Sequence, residues 1–340
     1  MEQGFIHIIE TNQNIIHKVS RMYRNTKEDR EDLFQDIVFQ LWKAYPKFRN
    51  ESKFSTWMYR IALNTAIAVY RKNTIQVDYK EHIPEQLQPL SKNEQSQNEG
   101  RMYWALRQLN AAEKAIISLY LEDYSYEEIA EITGITENYV GVRINRIKNK
   151  LKIILKHNTM ELDELKSNWQ NTGDMTKNQS ELQMMTKIKN HPKLNRIRIK
   201  LIIESILLVT FLLVYHDFFD GYTKPFWVNT FLIVSVILFV VNDIIGFMTL
   251  QNPIHGTTIT QSLNKLTLKL KRLSMLSIVS SLFFGISIIS FFISGINFTT
   301  GKYVMLAGMI ITLIGLIYVS YKNWKYRIQY FEKVIEEFSR

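Results

Sequence analysis

Cysteine is absent from the 340 residues. That excludes a disulfide scaffold, thiolate metal sites, iron–sulfur clusters and a cysteine nucleophile. The 7 histidines, at positions 7, 17, 82, 157, 191, 216 and 255, are scattered without metal-ligand spacing. There is no Gly-rich phosphate loop and no arguable Ser/His/Asp constellation. The chain therefore reads as a non-enzyme, with no cofactor and no metal. Strand alternation is nearly absent and the apolar periodicity is helical, so the expected fold class is all-α. The first 30 residues hold no apolar core of the length a secretory signal needs.

What is present divides by position. A mean hydropathy of −0.11 averages two unlike halves. Residues 1–200 are polar and charged, whereas 201–321 hold four long apolar runs. The net charge of +10 is not one continuous basic field: 23 Lys and Arg face 20 Asp and Glu in 1–159, 8 face 5 in 160–200, and 11 face 7 in 201–340. Each basic stretch needs its own explanation.

The apolar runs are 200–219, 225–250, 273–294 and 303–321. A helix of about 20 residues crosses the hydrocarbon core. Lys187, Lys189, Lys193, Arg196, Arg198 and Lys200 precede the first run. Lys265, Lys269, Lys271 and Arg272 separate the second from the third, and Lys322, Lys325, Arg327, Lys333 and Arg340 follow the fourth. The other two loops carry one cation each, Lys224 and Lys302. By the Lys/Arg bias of short loops, the expectation is four membrane spans with both termini cytoplasmic. Glu204 and Asp243 fall near the cytoplasmic edge, where they snorkel or pair, or else serve a function. Ser277, Ser281 and Gly285 recur every four residues, which suits close packing inside the bundle or a homodimer seam. His216, Asp217 and Asp220 make a solvated outer turn or a cation- or pH-sensitive cluster. No broken helix pair or repeated half suggests a transporter.

In the N-terminal half, Leu33, Ile37, Leu41 and Tyr45, with Phe34, Val38 and Trp42 beside them, form a wide helical stripe that Pro46 stops. A short polar loop precedes a second helix from about Ser55 to Lys72, with Trp57, Ile61, Thr65 and Ala68 inward. Residues 73–100 lack a sustained apolar period and read as a flexible linker. A further helical block runs from Arg101 to about Lys156. Within it, Ser125 and Glu128 have capping-box spacing, Gly134 ends the short helix, and Thr136 opens a longer one. Short helix, Gly turn and longer helix make a helix-turn-helix. The second helix carries Arg143, Arg146, Lys148, Lys150, Lys152 and Lys156 against Glu137 near its start.

Two blocks now stand in order: DREDLFQDIVFQLWKAYPKF with KFSTWMYRIALNTAIAVYRK, then LNAAEKAIISLYLEDYSYEEIAEITGITENYVGVRINRIKNKLK. Residues 1–156 thereby resemble the extracytoplasmic-function (ECF) group of bacterial RNA polymerase sigma factors. The resemblance implies that Asp32, Leu33, Gln35 and Asp36 dock on the β′ clamp of core RNA polymerase, with the β flap as a second contact. It implies that Phe48, Arg49, Asn50, Glu51 and Ser52 capture a flipped base of the −10 element, beside Arg60 and Asn64. A melted strand suits a base pocket with cations along its phosphates. It implies further that Asn138, Tyr139, Gly141, Val142, Asn145 and Arg146 meet the −35 element. Gly141 and Val142 depart from the polar residues common there, while Asn145 and Arg146 can donate to base edges or phosphates. Packing is the stronger reading for Tyr139, Ile144 and Trp57.

The segment MELDELKSNWQ, from Met160, resembles the start of small membrane proteins encoded beside such factors, as if two reading frames were joined, with 171–183 as a flexible join. The family's zinc-binding antisigma module needs His and Cys and cannot be present in that form. The expected organisation is a region 2-like domain (1–72), a linker (73–100), a region 4-like helix-turn-helix domain (101–157), an amphipathic helix and linker (158–198), a four-helix membrane domain (199–321) and a tail helix (322–340). The implied function is a membrane-tethered sigma factor whose partners are core RNA polymerase, promoter DNA and the lipid bilayer. The spacing of Leu162, Leu165 and Trp169 predicts an amphipathic helix over 161–170 that packs on the sigma domains as an inhibitor. The alternative is a membrane-anchored helix-turn-helix regulator that never enters polymerase.

Overall fold

The computed structural model describes residues 2–49, 52–70, 94–155, 162–172, 176–187, 192–251, 257–294 and 300–339. Every regular element among them is helical. The chain forms two compact units: one of 1–191, 253–266 and 330–340, the other of 192–252 and 267–329.

In the first unit, α1 (Glu2–Tyr23), α2 (Lys27–Ala44) and α3 (Phe54–Tyr70) pack mutually. Helix α1 lies ahead of the blocks legible by family pattern. Its buried Phe5, Ile9, Ile16 and Val19, with Gln13 in phase, make one helical stripe. Helix α2 starts on Thr26, whose side chain accepts from the Asp29 N–H, with Glu28 and Asp29 in the first turn. A cap oxygen and early acids both answer the orphan amides of a helix start. Pro46 lies in a 3-10 turn, Tyr45–Lys47, that ends the element.

Helix α4 (Glu94–Arg107) begins inside the stretch expected as linker, of which 73–93 lies outside the described residues. Distant partners hold its start: Glu99 pairs with Arg21 at 3.0 Å, and Asn98 donates to Glu164. Helices α5 (Ala111–Leu121) and α6 (Tyr126–Thr133) both begin with full capping boxes, Asn110 with Glu113 and Ser125 with Glu128. Gly134, at φ 80°, closes α6 in the left-handed region, and α7 (Glu137–Leu155) follows. The helix-turn-helix is present as the sequence predicts.

Helix α8 (Leu162–Asn171) lies on α4, α5 and α7. Helix α9 (Gln179–Met185) lies on α1 and α2, within residues expected to be a flexible join. Its Leu182 is buried and Asn178 caps it. The unit is completed by 257–266, with Ile259, Ser262 and Leu263 buried, and by 330–339, with Phe331, Val334 and Phe338 buried.

The second unit holds α10 (Pro192–Phe218), a 3-10 turn (Gly221–Thr223), α11 (Phe226–Gln251), and most of α12 (Ile259–Ile293) and α13 (Thr300–Ser339). The tail expected as a separate helix continues α13 without a break. Tyr215, Val228, Leu232 and Phe291 form the unit's core. The buried hydroxyls of Ser235 and Ser287 hydrogen-bond each other at 2.5 Å, a polar tie between α11 and α12. A Cβ on Gly285 would stand 2.1 Å from a Leu313 methyl, so this glycine serves close packing within the chain.

Among the described residues three helices, not the four expected, are long and apolar enough to cross a membrane: Phe226–Met248, Ile259–Ile293 and Gly301–Ser339. The first expected run falls in α10, a continuous helix. Glu204 and Asp217 interrupt the run, and the side chains of Lys200, Leu201 and Ser205 lie outside the described residues.

Candidate nucleic-acid interface

Helix α7 divides cleanly into two faces. Val140, Ile144, Ile147 and Leu151 are buried against α5 and α6. Asn138, Val142, Asn145 and Arg146 are exposed, and their spacing of four, three and one places them on one side. The two other expected −35 residues turn elsewhere. Tyr139 is half-buried, and Gly141 faces α6, where an added Cβ would meet the Tyr126 ring at 3.5 Å. Farther along, Lys148 donates to the Tyr120 hydroxyl at 2.8 Å, and Lys150 pairs with Glu113 at 2.8 Å. Part of the basic run thus ties α7 to α5. Arg143 is only 8% exposed; it stacks on Tyr139 and donates to the backbone oxygen of Glu337.

In the first three helices, Phe48, Phe54 and Trp57 form an aromatic cluster with centroids 4.9–5.5 Å apart. Trp57 is buried, in keeping with its reading as core. The expected base-capture loop leaves from Phe48. Arg49 is exposed and Ser52 half-buried, whereas Asn50 and Glu51 lie outside the described residues. Arg60 and Asn64 stand one turn apart on α3. Arg60 is half-buried and donates to the Thr257 carbonyl at 2.6 Å, and burial lowers its guanidinium pKa. Asn64 is 3% exposed. Of the expected polymerase-docking residues on α2, Leu33 and Asp36 are buried, and Asp32 and Gln35 are half-buried.

A second constellation gathers around α8. Leu165 and Trp169 are both 0% exposed. The Trp169 indole N–H donates to Glu122 Oε1 at 2.8 Å, and Lys18 Nζ donates to the same oxygen at 2.7 Å. The Lys18 ammonium sits 5.6 Å from the indole centre, and the Tyr103 ring 6.0 Å away. Lys166 pairs with Asp123 and holds that carboxyl below its usual range. Asp123 is a non-glycine residue in the left-handed region, at φ 60°. Gln170 donates to its other oxygen at 2.5 Å. The α8 helix therefore reads the α5–α6 corner through one indole, one ammonium and one amide.

The two sigma-like groups also touch directly. Tyr23 donates to the Ala111 carbonyl at 3.0 Å, and the rings of Tyr59 and Tyr124 lie 5.8 Å apart. Among the described residues no group of His, Cys, Asp or Glu is arranged to hold a metal ion. Sequence reasoning selected six α7 residues, four of them exposed, and the stripe of Leu162, Leu165 and Trp169, of which the Leu162 side chain lies outside the described residues. It missed Lys18, Glu122 and Arg143 as partners, because their partners lie 104 and 194 residues away in the chain.

Comparison with known proteins agrees with this geometry. The family model for sigma-70 region 2 matches residues 8–75, and that for sigma-70 region 4 matches 101–151. The RNA polymerase sigma factor SigV of Bacillus subtilis is 30% identical over 141 residues, 41% of this chain and 83% of that protein. The ECF RNA polymerase sigma factor SigM of Mycobacterium tuberculosis is 22% identical over 157 residues, 45% of this chain and 77% of its own. The ECF RNA polymerase sigma-E factor of Haemophilus influenzae is 28% identical over 148 residues, 38% of this chain and 78% of its own. No solved structure matches the chain significantly. Through its N-terminal half, the chain belongs to the extracytoplasmic-function family of sigma-70-type RNA polymerase sigma factors.

Proposed function

We propose that the chain is a membrane-anchored sigma subunit, held inactive by its own C-terminal half. The observation that carries the promoter-recognition part is the exposed α7 face of Asn138, Val142, Asn145 and Arg146 behind a capped helix-turn-helix. That face suits the major groove, where Asn and Arg read base edges or phosphates. The α3 side chains Arg60 and Asn64, with the loop from Phe48 through Arg49, Asn50 and Glu51 to Ser52, would serve the −10 strand. Asp32, Leu33, Gln35 and Asp36 would dock on the polymerase β′ clamp, and the region 4-like domain on the β flap. The domain bounds 1–72 and 101–157 serve as the working division for these roles, with 158–198 and 322–340 on the cytoplasmic side.

Anchoring in four passes, with both termini in the cytoplasm, is the reading that connectivity favours. Residues 253–266 and 330–340 belong to the same compact unit as 1–191. A compact unit does not straddle a bilayer, so each excursion of the chain out of it and back crosses an even number of times. The excursion 192–252 contains α10 and α11, so α10 would cross with α11. The basic flanks agree. Lys193, Arg196, Arg198 and Lys200 would lie in the headgroup region, and Glu204 and Asp217 near the two edges.

The inhibited state is supported by the packing of α8 on α4, α5 and α7, and of α4–α7 on α1–α3. The −10 and −35 elements are about 25 base pairs apart, roughly 85 Å along B-DNA. Two domains in direct contact cannot reach both, so the unit must open for promoter binding. The test is run-off transcription with core polymerase on DNA from upstream of the chain's own gene. Residues 1–158 are compared with the full chain in lipid nanodiscs. A transcript dependent on 1–158 and weaker with the full chain is expected. If 1–158 binds neither core nor supports a transcript, the chain is a membrane-anchored helix-turn-helix regulator instead. Equal transcription from both proteins removes the inhibitory role.

A further inference from the structure

The side-chain bonds of α8 described above run to Asn98, Glu122 and Asp123. Two other segments, both from beyond the first apolar run, reach α3 and the buried side of α7. On α3, Arg60, Asn64 and Ile67 follow at four and three residues, one helical face. Arg60 donates to the Thr257 carbonyl at 2.6 Å. The Ile67 carbonyl accepts from the Tyr330 hydroxyl at 3.3 Å. Asn64, between them, is 3% exposed.

The helix-turn-helix is engaged by the same two segments. Thr260 Oγ1 donates to the Gly134 carbonyl at 3.4 Å, and a Cβ on Gly134 would clash with Thr258 and Thr260 at 2.2–2.8 Å. Arg143 donates to the Glu337 backbone oxygen. That oxygen is one of the last four carbonyls of α13, which have no partner within their own helix and form its negative end. Burial pushes the Glu337 carboxyl above the usual range, and the backbone N–H groups of Ala112 and Ala111 at the start of α5, where that helix is positive, act against this. Ile259 and Leu263 on the first of these segments, and Val334 and Phe338 on the second, are buried. A carbonyl on an arginine and a carboxyl at a helix N-terminus use the acceptor chemistry that a DNA phosphate would bring.

We propose that 257–266 and 330–339 form a DNA-excluding lock, seating their acceptors on Arg60, Arg143 and the α5 N-terminus, so that tail docking and promoter DNA compete for the sigma domains. This deepens the inhibited-sigma reading and rests on it. It adds to the packing of α8 a separate, DNA-excluding contact made by the segments that bracket the last two spans.

The full chain in lipid nanodiscs tests it, and the absence of cysteine gives a clean background. Asn64→Cys is labelled with a maleimide in the otherwise unchanged chain, in a Phe338→Asp chain and in a chain ending at Gln329, with helicity followed by circular dichroism. Binding of a DNA duplex from upstream of the chain's own gene is measured on the same proteins without the cysteine. Labelling at least about tenfold faster, together with duplex binding at least about tenfold tighter, is expected in both tail variants, since cationic contacts dominate such affinities. Faster labelling with unchanged DNA binding overturns the competition. Fast labelling of Asn64→Cys in the intact chain overturns the lock itself. Failure of the underlying sigma reading shows separately, as loss of core-polymerase binding by every variant.

Discussion

Replacing Trp169 by alanine should undock α8. The indole is fully buried between Tyr103 and Lys18, and its N–H fills one lone pair of Glu122 Oε1. Truncating a buried tryptophan to alanine costs about 3–5 kcal/mol. The lost hydrogen bond is to a charged acceptor, which places the change in the upper part of that range. Because α8 is only 10 residues long and Leu165 is the one other fully buried side chain among its described ones, most of that cost falls on docking. At about 1.4 kcal/mol per decade, the docked-to-free ratio should drop by roughly two to three and a half powers of ten. Hydrogen exchange of the α8 amides in the full chain reads this directly, and transcription with core polymerase should rise in parallel. Trp169→Phe keeps an aromatic ring in the site but loses the N–H and the larger bicycle, so its effect should be smaller than that of Trp169→Ala by the packing that the phenyl ring retains. Unchanged α8 protection in Trp169→Ala would refute the docking argument. Released α8 with unchanged transcription would leave the packing intact and remove its inhibitory role.

Three further outcomes follow from the same packing. His17 has its pKa lowered from 6.5 to about 4, first by burial and then by Lys177 and Arg21. The unfolded chain therefore takes up the proton first, and stability falls as pH drops from 6.5 towards 4. After a discount for partial exposure this is worth about 1–2 kcal/mol; urea unfolding should show that slope, and an identical slope in His17→Gln would contradict it. Gly134→Ala should destabilise the first unit by at least about 1 kcal/mol, because φ 80° disfavours a Cβ and Thr258 and Thr260 crowd it; an unchanged thermal midpoint would count against both contacts. Gly285→Ile should weaken α12–α13 packing and Leu313→Ala should restore it, since the two side chains would claim one space; additive losses in a double-mutant cycle would show that the glycine is not there for Leu313.

Local chemistry accounts for what was legible beforehand. The α6 start needed only Ser125 and Glu128, three residues apart, and its end only a residue that tolerates a positive φ at Gly134. The α8 stripe needed only the spacing of Leu165 and Trp169, and the exposed α7 face needed only helical periodicity. The apolar runs of α11, α12 and α13 are likewise a property of length and composition. The start of α4 was missed because Glu94 to Gly100 has no apolar period, and the helix there is held from outside by Arg21 and Glu164. Helix α9 was missed because seven residues carry too short a pattern to separate from a polar join.

The sequence by itself therefore determined most of the helices, the helix-turn-helix, the family and the presence of runs long and apolar enough to cross a membrane, because each depends on residues within a few turns of one another. Only the tertiary structure decided which of the expected DNA-binding side chains are open. Asn138, Val142, Asn145 and Arg146 remain at the surface, while on α3 Arg60 is half-buried on the Thr257 carbonyl and Asn64 is buried. The bond from Arg60 to Thr257 spans 197 positions, and that from Arg143 to Glu337 spans 194. Helical periodicity says which face of a helix is polar, but not whether water, a phosphate or a distant carbonyl satisfies it.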